Sequence, residues 1–387
     1  MTAGKVFLKR GREKPLQRRH PWIFSGAVDK IPDFENGAVL PVYSHQGEFL
    51  AKAYFNKHSQ LFGRVLSFED IPTEKILEKK ISSALAQRQN LRPRTNAFRL
   101  INGEGDGLPG LIVDHYAKVL VLQVHTLGIE KLKPLILPLL KKAIAPLGIY
   151  EQSDLAVRKL EGLDPMRHWI EEGPAFVEIE ENGIKFHVSI EKGQKTGFFL
   201  DQREMRKLIA DLSKNKRVLN CFSYTGGFSL YALRGGASKV TSVDISKEAV
   251  SMMQKNTRMN NFSLEKHEMR SENVFHFIRN NQEAYDMVIL DPPAFIKKRE
   301  DKRSGLEAYK KLNFQVMSQL PENSLLLTCS CSHFMDRELF QKIIFESALQ
   351  AKKEVKILSR HRQALDHPTS LFHLEGEYLK SFLLSLC

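Results

Sequence analysis

A chain of 387 residues that is 42 % apolar and 27 % charged can bury two or three cores. Four cysteines are too few for a disulfide framework, no apolar leader follows the first residues, and the greasiest run (132–150) is broken by proline and lysine; a secreted or membrane-spanning protein is not expected, a cytoplasmic one is. The net charge of +13 points to a polyanion such as nucleic acid, with seven Lys/Arg against Glu13 in the first 20 residues and a second run, KKREDKR, at 297–303.

Residues 1–72 alternate strand-type runs (VFLKRG, AVLPVYS, EFLAKAYF, QLFGRVLSF) with Gly, Pro and Asn, which predicts a small β-barrel or sandwich. Lys9, Arg10, Arg12, Arg18 and Arg19 are its candidate phosphate contacts. Trp22 and Phe24 are read as core in preference to a base-stacking platform. Apolar spacing at Ile76, Leu77, Ile81 and Leu85 predicts a helix over 72–91 with Thr73 as N-cap. Residues 107–125 read as strand–turn–strand, 128–146 as a helix containing Pro134 and Pro138, and 173–190 as a hairpin with Asn182-Gly183 in a type I′ turn. The expected segments are 1–72, 73–185 and 186–387.

The last segment is a βαβ series, with strands at 217–222, 239–244, 287–291 and 324–330 and helices at 226–234, 246–259, 306–320 and 335–350. This predicts a parallel sheet with helices on both faces, and a ligand beyond the carboxyl ends of its strands. Four strand ends carry chemistry. NCFSYTGGFSL (220–230) offers a tight glycine turn where backbone N–H groups can approach a ligand, though an ordinary strand–helix turn looks the same. Asp244, 18 residues past Gly226, suits two ribose hydroxyls or a plain helix cap. DPPAF (291–295) is a rigid lip on which Asp291 and Phe295 could hold a flat base, or a proline-stopped strand. LLTCSCSHFMD (326–336) places Cys329 and Cys331 two residues apart. A metal clip lacks further ligands beyond His333, and a disulfide between them is disfavoured by geometry. Buried filler and nucleophile both remain.

Together these strand ends resemble the class I S-adenosylmethionine-dependent methyltransferases. With EKGQKTGFFLDQRE (191–204), the run 218–250, TCSCSHFM (328–335), PLQRRHPWIFSGAV (15–28) and GEGDGLPGLIVDHY (103–116), the chain is similar over essentially its whole length to the large-subunit (23S) rRNA cytosine-5 methyltransferase family. The resemblance implies an α/β fold: an N-terminal PUA RNA-binding domain, a small central α+β domain and a C-terminal Rossmann-like methyltransferase domain. It implies S-adenosylmethionine contacts at Thr196, Phe199, Asn220, Tyr224, Thr225, Gly226, Asp244, Ile245, Val274 and Asp291, with Glu272 or Asn273 on the adenine. Asn220 stands where the wider class carries an acid. The S-C-S match selects Cys331 as the thiol that adds to cytosine C6, with Asp291 on the base's N3/N4 edge, and leaves Cys329 to packing. How the thiol is activated stays open between local lysines, the cofactor's sulfur and Asp291. Pro292, Phe295, Lys297 and Lys298 would meet the RNA. The implied partner is large-subunit rRNA, with no membrane, no metal and a homodimer left open. Two rivals stand beside this reading. An adenine N6-type methyltransferase would share Asp-Pro-Pro, but Ala294 separates the aromatic from it and Cys331 has no task. A non-catalytic RNA-binding assembly factor would need neither the cofactor turn nor Cys331.

Overall fold

Alternation of apolar and polar residues builds the N-terminal sheet. Its six strands, in spatial order, are Trp22–Ile23, Gly63–Ser67, Phe49–Phe55, Val39–Tyr43, Val6–Leu8 and Val28–Lys30. Val6, Leu8, Val42, Ala51, Ala53 and Phe55 are buried beneath it. The structure is a computed structural model that describes residues 4–30 and 33–387. Its chain divides into two units: one holds the residues up to Gly183 with 188–200 and 365–376, the other 184–187, 201–364 and 377–387.

Within the first unit a five-stranded sheet follows, ordered Met166–Glu171, Gly148–Ser153, Val119–Val124, Leu111–Tyr116 and Ala97–Asn102. Helices Thr73–Arg88 and Leu127–Ile144 pack on it through Ile76, Leu77, Ile81, Ile129, Ile136 and Leu140. Pro134 and Pro138 lie on the exposed face of the second helix, where the carbonyls they leave unpaired can be hydrated. Two local expectations are corrected. Thr73 is the first helical residue and Pro72 occupies the cap position, with no side-chain cap; its φ of −54° already suits helix entry. Phe24 is 53 % exposed, so it is not core; only Trp22 is tied down, with its indole N–H donating to Glu104 at 3.0 Å and its ring 4.4 Å from that of His373. Asn182 and Gly183 both take positive φ (50° and 77°), as a type I′ turn requires.

The second unit is organised by one seven-stranded sheet: β1 Arg217–Cys221, β2 Lys239–Asp244, β3 His267–Ser271, β4 Met287–Leu290, β5 Leu325–Ser330, β6 Val355–His361 and β7 Lys380–Leu386. The spatial order is β3-β2-β1-β4-β5-β7-β6. The pairings β1–β2, β2–β3, β1–β4 and β4–β5 are parallel, whereas β7 is antiparallel to both its neighbours. The expected all-parallel sheet is therefore mixed. The period-2 alternation sends Val218, Ile289, Leu327 and Cys329 to one face, with α1 (Arg203–Leu212) and α2 (Gly227–Arg234). It sends Leu219, Val288, Leu290 and Leu326 to the other, with α4 (Val274–Asn280), α5 (Lys302–Gln319) and α6 (Arg337–Ala351). Between α2 and α4 lies α3 (Lys247–Met259). Among the described residues, no helix is long and apolar enough to cross a membrane.

Candidate active site

The parallel registers bring the carboxyl ends of β2, β1, β4 and β5 to one edge of the sheet, in that order. Asp244 is the last residue of β2. Asn220 is the penultimate residue of β1, and the glycine turn follows it. Asp291 and Cys331 are each the first residue past their strands, β4 and β5. Four sequence-distant motifs thus become neighbours along one edge.

The turn after β1 is strained. Phe222, Tyr224 and Gly226 all have positive φ (59°, 46° and 89°), a rare state for bulky side chains. A Cβ at Gly226 would lie 2.6 Å from Met253 Cγ, so only glycine fits between α2 and α3. Asp244 holds this conformation: its Oδ2 accepts from the Tyr224 N–H at 2.8 Å and its Oδ1 from the Ser246 N–H at 2.9 Å. Each oxygen retains a lone pair for a further donor. Beside it, Ile245 is 72 % exposed, an apolar surface at the mouth of the edge.

Behind the turn runs a buried hydrogen-bond chain whose direction is fixed at its far end. The Thr257 hydroxyl donates to the Met253 carbonyl at 2.9 Å, so it accepts from His267 Nδ1 at 2.8 Å. His267 Nε2 then accepts from Ser242 (2.8 Å), Ser242 accepts from Ser229 (2.6 Å), and Ser229 accepts from Asn220 Nδ2 (2.8 Å). Burial pulls the His267 pKa down to about 4, keeping the ring neutral. The amide of Asn220 is thereby oriented, with its NH2 inside the chain and its Oδ1 turned the other way. That Oδ1 is fully buried and has no hydrogen-bond partner among the described residues. An orphaned buried acceptor at the foot of a strained turn calls for a donor from a ligand.

Glu272 follows β3, donates its N–H to the Asp244 carbonyl at 2.9 Å and pairs its carboxylate with His276. Asn273 accepts from the His276 N–H as the cap of α4, and Val274 is buried in the core. Thr225 is buried; its carbonyl accepts from Asn256 Nδ2 at 3.0 Å. Thr196 and Phe199 belong to the first unit. The Thr196 hydroxyl donates to Asp114 at 2.6 Å and bonds Tyr116 at 2.9 Å, so it is committed internally, while Phe199 is half-buried with Lys195 4.3 Å over its ring.

The two cysteines part company. Cys329 is fully buried among Leu327, Ile289 and Leu383, and burial pushes its thiol well above the ordinary range. Cys331 is only half-buried. Its neighbour Ser332 accepts from the Ile296 N–H (3.2 Å) and bonds the Tyr309 hydroxyl (3.0 Å), pinning the lip 291–296 beside the thiol. Within the lip, Pro292 is buried and Pro293 exposed, so the solvent-facing proline is the second, contrary to expectation. Phe295 is half-buried against Tyr309 (4.6 Å), Phe275 and Phe222, making it part of the lip's foundation; a free clamp is not what the packing provides. Lys297 and Lys298 are exposed beyond it, as are Lys9, Arg10, Arg12, Arg18 and Arg19 in the first unit.

The S-adenosylmethionine-dependent methyltransferase family matches residues 99–342, and a PUA-like domain matches residues 6–68. Two relatives called ribosomal RNA large subunit methyltransferase I, from Photobacterium profundum and Escherichia coli, are 42 % and 40 % identical; the alignments cover 97 % and 98 % of this chain and 98 % of each relative. This chain belongs to that family. It is an S-adenosylmethionine-dependent methyltransferase on the class I fold, with a PUA-like N-terminal domain. A putative methyltransferase from Streptococcus mutans superposes with a TM-score of 0.83 at 26 % identity, covering 98 % of this chain and 99 % of that one. A putative methyltransferase complexed with SAH superposes with a TM-score of 0.84, also at 26 % identity and with the same coverage. The residues on the edge fit such a cofactor: an acid for a diol, an apolar surface for a base, and an oriented acceptor for an ammonium. Sequence reasoning missed Ser229, Ser242, Thr257 and His267, whose only signal is polarity inside otherwise apolar elements.

Proposed function

We propose that this methyltransferase acts on large-subunit (23S) rRNA in the cytoplasm and methylates C5 of a cytosine, with Cys331 as nucleophile. The observation that carries this reading is the placement of Asp291 and Cys331 as first residues past adjacent strands, next to the cofactor turn. The chain would work as three segments (1–72, 73–185 and 186–387), the first binding RNA through its exposed bases.

When bound, the cofactor supplies an electrophilic methyl group. Asp244 would hold its ribose, Ile245 its adenine face, Glu272 or Asn273 its adenine edge, and Asn220 Oδ1 would accept from its ammonium. Tyr224, Thr225 and Gly226 shape the turn against it. Cytosine C5 is a weak nucleophile, so the protein must push electron density onto it. The Cys331 thiolate adds to C6 while Asp291 hydrogen-bonds the N3/N4 edge; C5 takes the methyl group, loses its proton to a base, and the thiolate leaves. The lip with Pro293, and Lys297 and Lys298 beyond it, would face a base flipped from its stack. Mass spectrometry of nucleosides from 23S rRNA incubated with enzyme and labelled cofactor tests this: 5-methylcytidine is expected, and N6-methyladenosine would refute the assignment.

A further inference from the structure

The reaction needs a thiolate, and an ordinary cysteine titrates at about 8.5. The structure holds a positive charge at the right place. Strand β7 begins at Lys380, and because β7 runs antiparallel to β5, its first residue lies at the carboxyl edge where Cys331 stands. The register pairs Lys380 with Ser330, the residue before Cys331. The Lys380 side chain reaches past it: Nζ donates to the carbonyl of Ser332, the residue after Cys331, at 2.8 Å, and to the carbonyl of Tyr378 at 2.7 Å. The ammonium is thus strapped between the backbone just past the thiol and the approach to its own strand.

Its surroundings are unusual for a lysine. Lys380 is 4 % exposed, and among the described residues no carboxylate forms an ion pair with it. The acids facing it from neighbouring elements have other work: Asp336 caps α6 through the Leu339 N–H at 2.8 Å, and Glu377 pairs with Arg337, itself a cation facing Lys380. Burial pulls the Lys380 pKa down to about 8, and Cys331 leads the groups that push it back up. A buried ammonium held by two carbonyls is costly, and such a charge persists where an anion is to be stabilised.

We propose that the Lys380 ammonium, anchored on the Ser332 and Tyr378 carbonyls, is the fixed positive charge that holds Cys331 as the reactive thiolate. The thiol proton leaves to water, Lys380 keeps its three N–H bonds, and no bond forms between the two side chains. Lys380 is therefore a positioning residue that acts through the sulfur. The proposal deepens the reading of Cys331 as nucleophile and rests on it for its role in turnover.

The test is the pH dependence of iodoacetamide alkylation at Cys331, followed by peptide mass spectrometry. The full-length protein carries Cys387→Ser, because Cys387 is the other half-buried cysteine. The parent midpoint is expected below the ordinary value of about 8.5. Lys380→Met should raise it by about one unit or more, leave the limiting rate at high pH unchanged, and leave SAH affinity within about twofold. Lys380→Arg should restore the midpoint at least halfway. Turnover of Lys380→Met should fall about tenfold or more at pH 7 and recover towards pH 9, the pattern of a lost charge. An unshifted midpoint in a Lys380→Met protein that binds SAH overturns the proposal. Should that variant not bind SAH, equal midpoints for Lys380→Arg and Lys380→Gln overturn it, and a raised midpoint for Gln alone supports it. Alkylation needs neither RNA nor cofactor. A shifted midpoint upholds the charge pairing even if Cys331→Ala kept its turnover, a result that removes the nucleophile reading alone.

Discussion

The Tyr224 N–H donates to Asp244 Oδ2 at 2.8 Å, so one carboxylate both holds a strained turn and presents its free lone pairs at the cofactor edge. Asp244→Ala removes both roles. SAH affinity measured by calorimetry should fall about 100-fold or more, the size expected for losing charge-assisted hydrogen bonds. A loss under about threefold would show that the turn stands without the acid.

The cysteine pair gives a direct comparison. Cys331→Ala should abolish methyl transfer and keep SAH binding. Cys329→Ala should keep turnover and cost about 1 kcal/mol of stability, as a small cavity does in the β5 core. Substantial turnover by Cys331→Ala would end the covalent mechanism.

Ser242→Ala interrupts the buried chain at its middle, where Ser242 links Ser229 to His267. The Asn220 amide then loses its imposed orientation. SAH affinity should drop about tenfold, with kcat at saturating cofactor close to that of the parent. Unchanged affinity would mean that Asn220 needs no such support.

His267 has a pH signature. Its folded pKa, about 4, lies below the ordinary value of about 6.5, so between these the unfolded chain binds the extra proton. Stability from this group is complete above about pH 6.5 and is lost as pH falls through 4, by about 3 kcal/mol. Urea midpoints at pH 7 and 4.5 should converge more closely in His267→Gln than in the parent. His115 and His125, depressed in the same direction, contribute equally to both proteins and cancel.

The N-terminal bases are exposed and lie outside the proposed chemistry. Replacing Arg10, Arg12 and Arg18 by Ala should weaken rRNA binding and flatten its dependence on log salt by about one unit for each phosphate no longer neutralised. SAH affinity should not move. An unchanged salt slope would place the RNA elsewhere.

The motifs at the carboxyl edge were legible because each is compressed into a few residues: a Gly-Gly turn, an acid at a strand end, Asp-Pro-Pro and S-C-S. Strand order and the mixed direction of the sheet were not. Strand β3, HEMRS, reads as polar loop because it is an edge strand, and β7, KSFLLSL, reads as an apolar run without a partner. Lys380 lies 50 residues from its register mate Ser330, and the Asn220 chain gathers side chains from positions 220, 229, 242, 257 and 267. No local spacing encodes either. For a related reason the inward turn of Thr196 and Pro292 was not legible: a motif names its residues but does not say which side chains are buried, as both of these are.

The reversal of β7 also separates two design problems. A parallel strand reaches this edge with its last residue and then leaves into a loop, whereas β7 enters the sheet here. Here the backbone of Lys380 is held in the ladder opposite Ser330 of β5, apart from the basic run at 297–303. That run beyond the lip can be recharged or exchanged to suit another RNA while residues 291–296, pinned through Ser332, keep their place beside the sulfur. The charge behind the sulfur is written into the sheet, and preference among targets into the loops around it.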